Sequence, residues 1–280
     1  MNAEQKKELQ IFATQIRMGI IESVYSAQSG HPGGSLSAAD VFAYLYGKEM
    51  RYRADEPRWE DRDRFVLSKG HCAPGVYSAL AYKGFFPVEE LKTLRHIGSF
   101  LQGHPNMNMT PGIDMSTGSL GQGVSAAAGM ANAAKYLKKD INVYTVLGDG
   151  EMQEGQVWEA FMYAAHYKLD NLCVIIDFNN LQIDGRMTDV MNVTPIDEKM
   201  KAFGFEVVEI NGNDFDELDD AFTKFHETTG KPFAIIMHTF KGKGVSFMED
   251  QCGWHGKAPN EEQYNTAMAE LTAKMKELEA

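Results

Sequence analysis

Two β-branched-rich runs, residues 141–147 and 171–176, stand on either side of a helical pattern at 154–167. Each run ends in turn chemistry, Gly148-Asp149-Gly150 after the first and Asp177-Phe178-Asn179-Asn180 after the second. Strand, helix and strand at these lengths predict a β-α-β crossover. Two more apolar runs, 205–210 and 233–238, flank another helical pattern at 215–228, and a short run at 64–68 adds a fifth strand. Strands that alternate with helices demand a parallel sheet, because a parallel pair needs a long crossover and the crossovers cover both faces. The expected fold class is therefore α/β, a parallel sheet with helices on both faces.

The rest of the chain fits around that unit. Leu9, Phe12, Ala13, Ile16, Ile20 and Val24 recur at three- and four-residue steps, which predicts one apolar face on a helix over 4–28. Ser29-Gly30-His31-Pro32-Gly33-Gly34 breaks it, and a second helix over 37–46 is expected with Ser37 as its N-cap. A helix is expected at 73–83, followed by an irregular stretch at 84–116 that holds Pro87, Pro105 and Pro111. The glycine-rich Thr117–Gly123 loop runs into a helix of small residues at 124–137, whose composition predicts a place deep in the fold. A charged helix closes the chain at 261–279. There is no repeat, low-complexity tract or linker, so residues 1–280 are read as a single domain.

Composition excludes several classes. At 44% hydrophobic and 24% charged residues the chain is neither disordered nor fibrous. No run approaches the roughly 18–20 apolar residues of a membrane helix, and MNAEQKKELQ lacks a signal peptide's apolar core, so a soluble cytoplasmic protein with no membrane role is expected. Cys72, Cys173 and Cys252 are odd in number and widely spaced, which suits reduced packing residues rather than disulfides or a zinc site. A net charge of −12 without a basic cluster argues against nucleic acid. Such a chain can still hold an anion, given a metal, backbone N–H groups or a few placed His and Lys side chains.

Those devices are present at the strand ends, where open parallel sheets bind ligands. Asp149 and Asn179 close successive strands 30 residues apart, so one crossover sets them side by side. A carboxylate, an amide oxygen and nearby carbonyls suit Mg²⁺, with Ca²⁺ as a substitute, and Mg²⁺ often completes its shell with phosphates. Gly148 and Gly150 leave room for a bulky anion. Each taken alone is ordinary turn chemistry. Four histidines in glycine- or proline-flanked loops, His31, His71, His104 and His255, strengthen the case for one polar site that handles anionic oxygens or protons. His96, His166, His226 and His238 have no such context and are read as structural.

Gly148-Asp149-Gly150 followed by Asn179-Asn180 resembles the thiamine-diphosphate fingerprint. Ser29-Gly30-His31-Pro32-Gly33, the stretch from Asp63 to His71, Gly103-His104-Pro105, the Thr117–Gly123 loop and Thr239-Phe240-Lys241-Gly242-Lys243-Gly244 are similar, in the same order, to the N-terminal part of transketolases over about residues 10–258. The resemblance implies Mg²⁺ ligation by Asp149, Asn179 and the Leu181 carbonyl. It implies diphosphate contacts from the Gly150 N–H, His71, His255 and Lys241. Gly118 and Leu120 would lie against the aminopyrimidine and Ile183 against the thiazolium. His31, His104 and His255 would bind sugar hydroxyls and relay protons, and Glu154 and Glu159 would lie at an interface between subunits.

The resemblance also implies what a chain of this pattern requires. The family's pyrimidine-binding and C-terminal domains, with the glutamate that activates the cofactor and most arginines that grip the sugar phosphate, have no counterpart here. The expected partner is a second transketolase chain that carries them, in an α₂β₂ assembly that also brings copies of this chain together. Ketol transfer between sugar phosphates is the expected activity. Pyruvate-dehydrogenase-type α subunits, deoxyxylulose-phosphate synthase, and a transketolase specialised for an unusual sugar are the near alternatives. A non-catalytic binding protein is a more distant one, and a Rossmann dehydrogenase is disfavoured because Gly118–Gly123 does not follow a strand.

Overall fold

A computed structural model describes residues 1–280. Its centre is a five-stranded parallel sheet in the order β1-β2-β3-β7-β6, formed by β1 (Arg64–Leu67), β2 (Val143–Gly148), β3 (Leu172–Phe178), β6 (Glu206–Asn211) and β7 (Phe233–His238). A two-stranded hairpin, β4 (Leu181–Gln182) and β5 (Gly185–Arg186), follows β3.

Alternation along the strands sorts the helices. Val66, Val174, Ile176, Ala234 and Ile236 point to one face, where they pack with α5 (Gln122–Tyr136), α6 (Gly155–His166) and α8 (Ile196–Ala202). Phe65, Leu67, Tyr144, Val146, Ile175 and Ile235 point to the other, against α1 (Ala3–Ala27), α3 (Ala39–Tyr44), α4 (Ala73–Tyr82) and α9 (Phe215–Glu227). The split follows from handedness. The crossovers from β1 through β2 and β3 to β6 all step one way, so α5, α6 and α8 share a face; the return from β6 to β7 reverses direction and puts α9 opposite. On that face Phe222 stacks on Tyr44 with centroids 4.8 Å apart, and burial of such a ring contributes roughly 1.5–3 kcal/mol.

The remaining helices frame this core. A capping box of Asn2 and Gln5 opens α1, and another of Asn260 and Gln263 opens α10 (Glu261–Glu279). The two helices meet through Tyr25 stacked on Tyr264 at 4.1 Å. No helix is long and apolar enough to cross a membrane.

Two expectations are corrected. Ser37 does not cap a helix: α2 (Pro32–Ser37) begins earlier, with Pro32 in its first turn, and Ser37 Oγ instead donates to Asp177. The small-residue helix α5 is not deep. Gly123, Val124, Ala127, Ala128, Ala131 and Ala134 are buried, but Ser125, Gly129, Ala133 and Tyr136 form an open face. Small residues there let another surface approach closely rather than bury the helix.

The strand over 171–176 ends two residues further on, so Asp177 lies inside β3. Helices α7 (Met187–Val190) and α8 leave no clear mark in the sequence pattern. Each is short, and α8 buries only Ile196 and Met200, too few to display a helical period.

Candidate active site

The C-terminal ends of β1, β2 and β3 open into a cavity of about 370 Å³. Larger cavities of about 500 and 600 Å³ lie beside Arg58, Arg62 and Met107, away from the histidines and the strand ends.

Its floor is a buried polar network. Lys69 follows β1, and its ammonium reaches across the end of β2 to Asp177 on β3, with Nζ 2.5 Å from Oδ2. Gly148 ends β2 in register with Asp177 and presents no side chain in that path. Asp177 also accepts from Ser37 Oγ at 2.5 Å, Asn179 Nδ2 at 3.0 Å and Thr239 Oγ1. Burial opposes charge on both partners, yet their attraction holds the Asp177 carboxyl below the usual range and the Lys69 ammonium above it.

That network orients Asn179. With Nδ2 committed to Asp177, Asn179 Oδ1 faces Leu181, whose N–H it accepts at 3.1 Å. Asp149 accepts from Gly150 N at 2.8 Å and Asn180 N at 2.6 Å, which ties the two strand ends together. Burial and then Asp177 push its carboxyl up to about 7. Such a group gains from a cation. One carboxylate, one amide and one carbonyl are hard oxygen donors, and no group of three or more His, Cys, Asp or Glu residues is assembled that could hold a metal.

Two expected ligand contacts are already used within the protein. The Gly150 N–H donates to Asp149, and the Leu181 carbonyl accepts from Lys241 Nζ at 2.9 Å. Lys241 also meets His255 Nδ1 at 3.0 Å, and burial lowers its proton affinity. Its loop is held from behind. Arg17 binds Asp40 through Nη1 at 3.0 Å and Nη2 at 2.6 Å, and its Nε donates to the Lys243 carbonyl at 3.0 Å. Gly242 has φ 81°, and a Cβ there would lie 2.3 Å from the Met248 carbonyl oxygen.

The four loop histidines form one cluster, in which His71 and His255 line the cavity and His31 and His104 stand beside them. Ring centroids of His31 lie 5.3 Å from those of His71 and His255 and 6.3 Å from His104, and His71 lies 5.1 Å from His255. All four are held neutral, chiefly by burial: His31 is lowered to about 4, His255 to about 3, and His71 and His104 are lowered as well. Nearby cations add to the shift, Arg95 at His31 and His104, Lys69 at His71, and Lys241 at His255. His31 Nδ1 and Thr117 Oγ1, close to the cluster, are buried without a hydrogen-bond partner.

A second buried carboxylate fixes the glycine loop. Glu151 accepts from Ser68 Oγ at 2.5 Å, Gly121 N at 2.8 Å and Gly148 N at 3.1 Å. Gly118 sits at φ 149°, where a Cβ would press within 3.1 Å of the His104 ring. Leu120 and Ile183 line the cavity, with Ile183 67% exposed at its rim. Glu154 borders the cavity and Glu159 lies on the exposed side of α6.

Sequence reasoning missed Lys69, Asp177, Ser68 and Glu151. Charged residues at the ends of apolar strand runs were the available signal. His238 meets Glu209 at 2.9 Å and His226 meets Glu49 at 2.7 Å, both away from the cavity, in line with a structural role.

Comparison with known proteins identifies the architecture. The model of the transketolase thiamine-diphosphate-binding domain matches residues 9–277.

The chain belongs to the transketolase family.

It is 45% identical to the 6-deoxy-6-sulfo-D-fructose transketolase subunit SqwG of a Clostridium species, over 96% of this chain and 98% of that protein. It is 43% identical to one of the apulose-4-phosphate transketolase subunits of Phocaeicola vulgatus, over 98% of each. The solved transketolase of Campylobacter jejuni superposes with a TM-score of 0.89 at 33% identity, over 99% of this chain and 46% of that one. The chain thus spans less than half of the solved transketolases and nearly the whole of these separate subunits. It is the N-terminal, thiamine-diphosphate-binding subunit of a transketolase, an enzyme class whose chemistry is ketol transfer.

Proposed function

We propose that this chain supplies the diphosphate-holding half of each active site in a two-chain transketolase that moves a two-carbon ketol unit from a ketose phosphate to an aldose phosphate. The observation that carries this reading is the clustering of His31 and His104 with His71 and His255, which line the cavity that also holds Asp149, Asn179 and Lys241.

Asp149 Oδ, Asn179 Oδ1 and the Leu181 carbonyl would hold Mg²⁺, or Ca²⁺ in its place. Commitment of Asp149 to the ion would release the Gly150 N–H, now bonded to its carboxylate, for a diphosphate oxygen. Lys241, His71 and His255 line the cavity where they would meet the diphosphate's charge, offsetting the chain's net charge of −12 locally. Gly118 and Leu120 border the space for the aminopyrimidine, and Ile183 on the rim is an apolar contact for the thiazolium. When bound, thiamine diphosphate supplies the nucleophilic carbon that carries the transferred unit.

The protein's own work is orientation and proton movement. His31, His104 and His255 are neutral at physiological pH, so each can accept a proton from a sugar hydroxyl and return it. Their burial keeps the rings neutral and open to a proton, while it weakens them as bases.

A second chain with the pyrimidine-binding and C-terminal domains would complete the site. Copies of this chain would meet through α5 and α6, where Gly129, Ala133, Tyr136, Met162 and Glu159 are exposed together. An α₂β₂ assembly satisfies both contacts. Three free cysteines suit a reducing compartment, and we place the protein in the cytoplasm.

The reading is tested by equilibrium binding of thiamine diphosphate to the assembled complex with and without Mg²⁺. Tight binding that needs the ion and vanishes in Asp149→Ala is expected. Equal binding by the variant would refute the assignment.

A further inference from the structure

The two cations that line the cavity, Lys69 and Lys241, are paired within the protein, whereas Arg95, beside the His31 and His104 loops, is not. Lys69 is bound to Asp177, and Lys241 to the Leu181 carbonyl and His255. Arg95 is exposed, and the one hydrogen bond its guanidinium makes runs from Nη1 to Ser29 Oγ at 3.0 Å. A guanidinium carries five N–H donors in a rigid fork, so four remain. In a chain with 39 acidic residues, this arginine forms no ion pair with any of them.

Its placement is specific. Arg95 holds φ 61°, a region unfavourable to a residue with a side chain, and its N–H donates to the Leu101 carbonyl at 2.9 Å. The guanidinium lies against Gly103, where a Cβ would stand 2.8 Å from Nε and 2.9 Å from Cζ. Ser29 and Gly103 lead into His31 and His104 in their respective loops. The side chain therefore straddles the two histidine loops, near enough for its charge to weaken proton binding at both rings.

We propose that Arg95 is a substrate-recognition residue whose remaining N–H groups bind a tetrahedral oxyanion, phosphate or sulfonate, carried by the sugar. This rests on the reading of the chain as part of a ketol-transferring site. Planar forks of donors match such oxyanions two bonds at a time. A residue that merely bridged Ser29 and Gly103 would need neither a charge nor the further donors.

The test uses the complex of this chain with its partner, loaded with thiamine diphosphate and Mg²⁺. Arg95→Gln and Arg95→Lys are compared with the unaltered complex, using a ketose phosphate, a ketose 6-sulfonate and the uncharged ketose erythrulose as donors. For Arg95→Gln, KM for the charged donor should rise about 10- to 100-fold. Kinetics with erythrulose should change much less, because loss of the charge acts there only through the proton affinity of His31 and His104, and Arg95→Lys, which keeps the charge, should recover part of the loss. The arm that responds, phosphate or sulfonate, names the oxyanion. Equal changes for charged and uncharged donors, or a fall in kcat alone, would overturn the proposal. If the unaltered complex transfers no ketol unit, the functional reading fails instead, and a second measurement still decides on Arg95. Inorganic phosphate should slow modification of Arg95 by phenylglyoxal, read by peptide mass spectrometry, and absence of protection would overturn the assignment.

Discussion

Lys69 Nζ lies 2.5 Å from Asp177 Oδ2, and the two side chains are 2% and 0% exposed. The pair joins the end of β1 to the end of β3 beneath the cavity and turns Asn179 so that its amide oxygen faces Leu181. A buried ion pair of this kind specifies geometry more than it stabilises, because desolvation of both charges offsets much of their attraction.

Removal of one partner leaves the other charge buried. Lys69→Met and Asp177→Asn should each cost about 3–5 kcal/mol of folding stability. The double variant Lys69→Met/Asp177→Leu should recover a large part of that loss. Thermal melting of the four proteins checks the order, and a double variant worse than either single one would contradict the pairing.

Asp149, pushed up to about 7 by burial and by Asp177, makes cofactor binding sensitive to pH. The divalent ion needs the carboxylate, so protons compete with it. Below about pH 7 the Mg²⁺-dependent affinity for thiamine diphosphate should fall roughly tenfold per pH unit, and it should level off above. Titrations at pH 6, 7 and 8 read this directly. A flat profile over that range would be inconsistent with the buried carboxylate as ligand.

The histidines give the cofactor-free protein a dependence of defined sign. Their folded-state affinities are lowered, to about 4 at His31 and about 3 at His255, against an ordinary value near 6.5. Between these values the unfolded chain binds more protons, so stability is present above about pH 6.5 and is lost as pH falls toward 4. Asp149 works the other way, since its raised affinity favours the folded state below about pH 7. Asp114 and Glu151 are raised in the same way, but four histidines outnumber three carboxylates and the lowered Asp177 and Asp219 act with the histidines, so the urea midpoint should drop between pH 6.5 and pH 4.5. His255→Asn should lessen the drop.

Much of this was legible in the chain itself. Strand ends at Gly148 and Asn179 followed from β-branched runs that stop at glycine or asparagine, and the histidine loops announced themselves by flanking Gly and Pro. Element bounds for 233–238 and 261–279 coincide with β7 and α10. The unseen parts depend on tertiary neighbours. Ser37 has the chemistry of an N-cap, yet a partner 140 residues away, Asp177, takes its hydroxyl. Asp177 reads as a turn residue because nothing local reveals Lys69 across β2. The open face of α5 was misjudged because small side chains mark close approach without saying whether the neighbour belongs to the same chain.

That open face predicts an effect on assembly. Met162 on α6 is 56% exposed beside the small residues of α5. Met162→Lys should impair pairing of this chain's copies and leave the fold intact, because the side chain makes little contact within the monomer. Sedimentation of the complex should show its mass fall by half. An unchanged mass would place the self-contact elsewhere.

Ketol transfer from a ketose phosphate to an aldose phosphate, with thiamine diphosphate and Mg²⁺ present, tests the central claim most directly. The assay is run on this chain alone and on its complex with a second chain bearing the pyrimidine-binding domain. Turnover by the complex and none by the isolated chain is the predicted result. Full turnover by this chain alone would contradict the account.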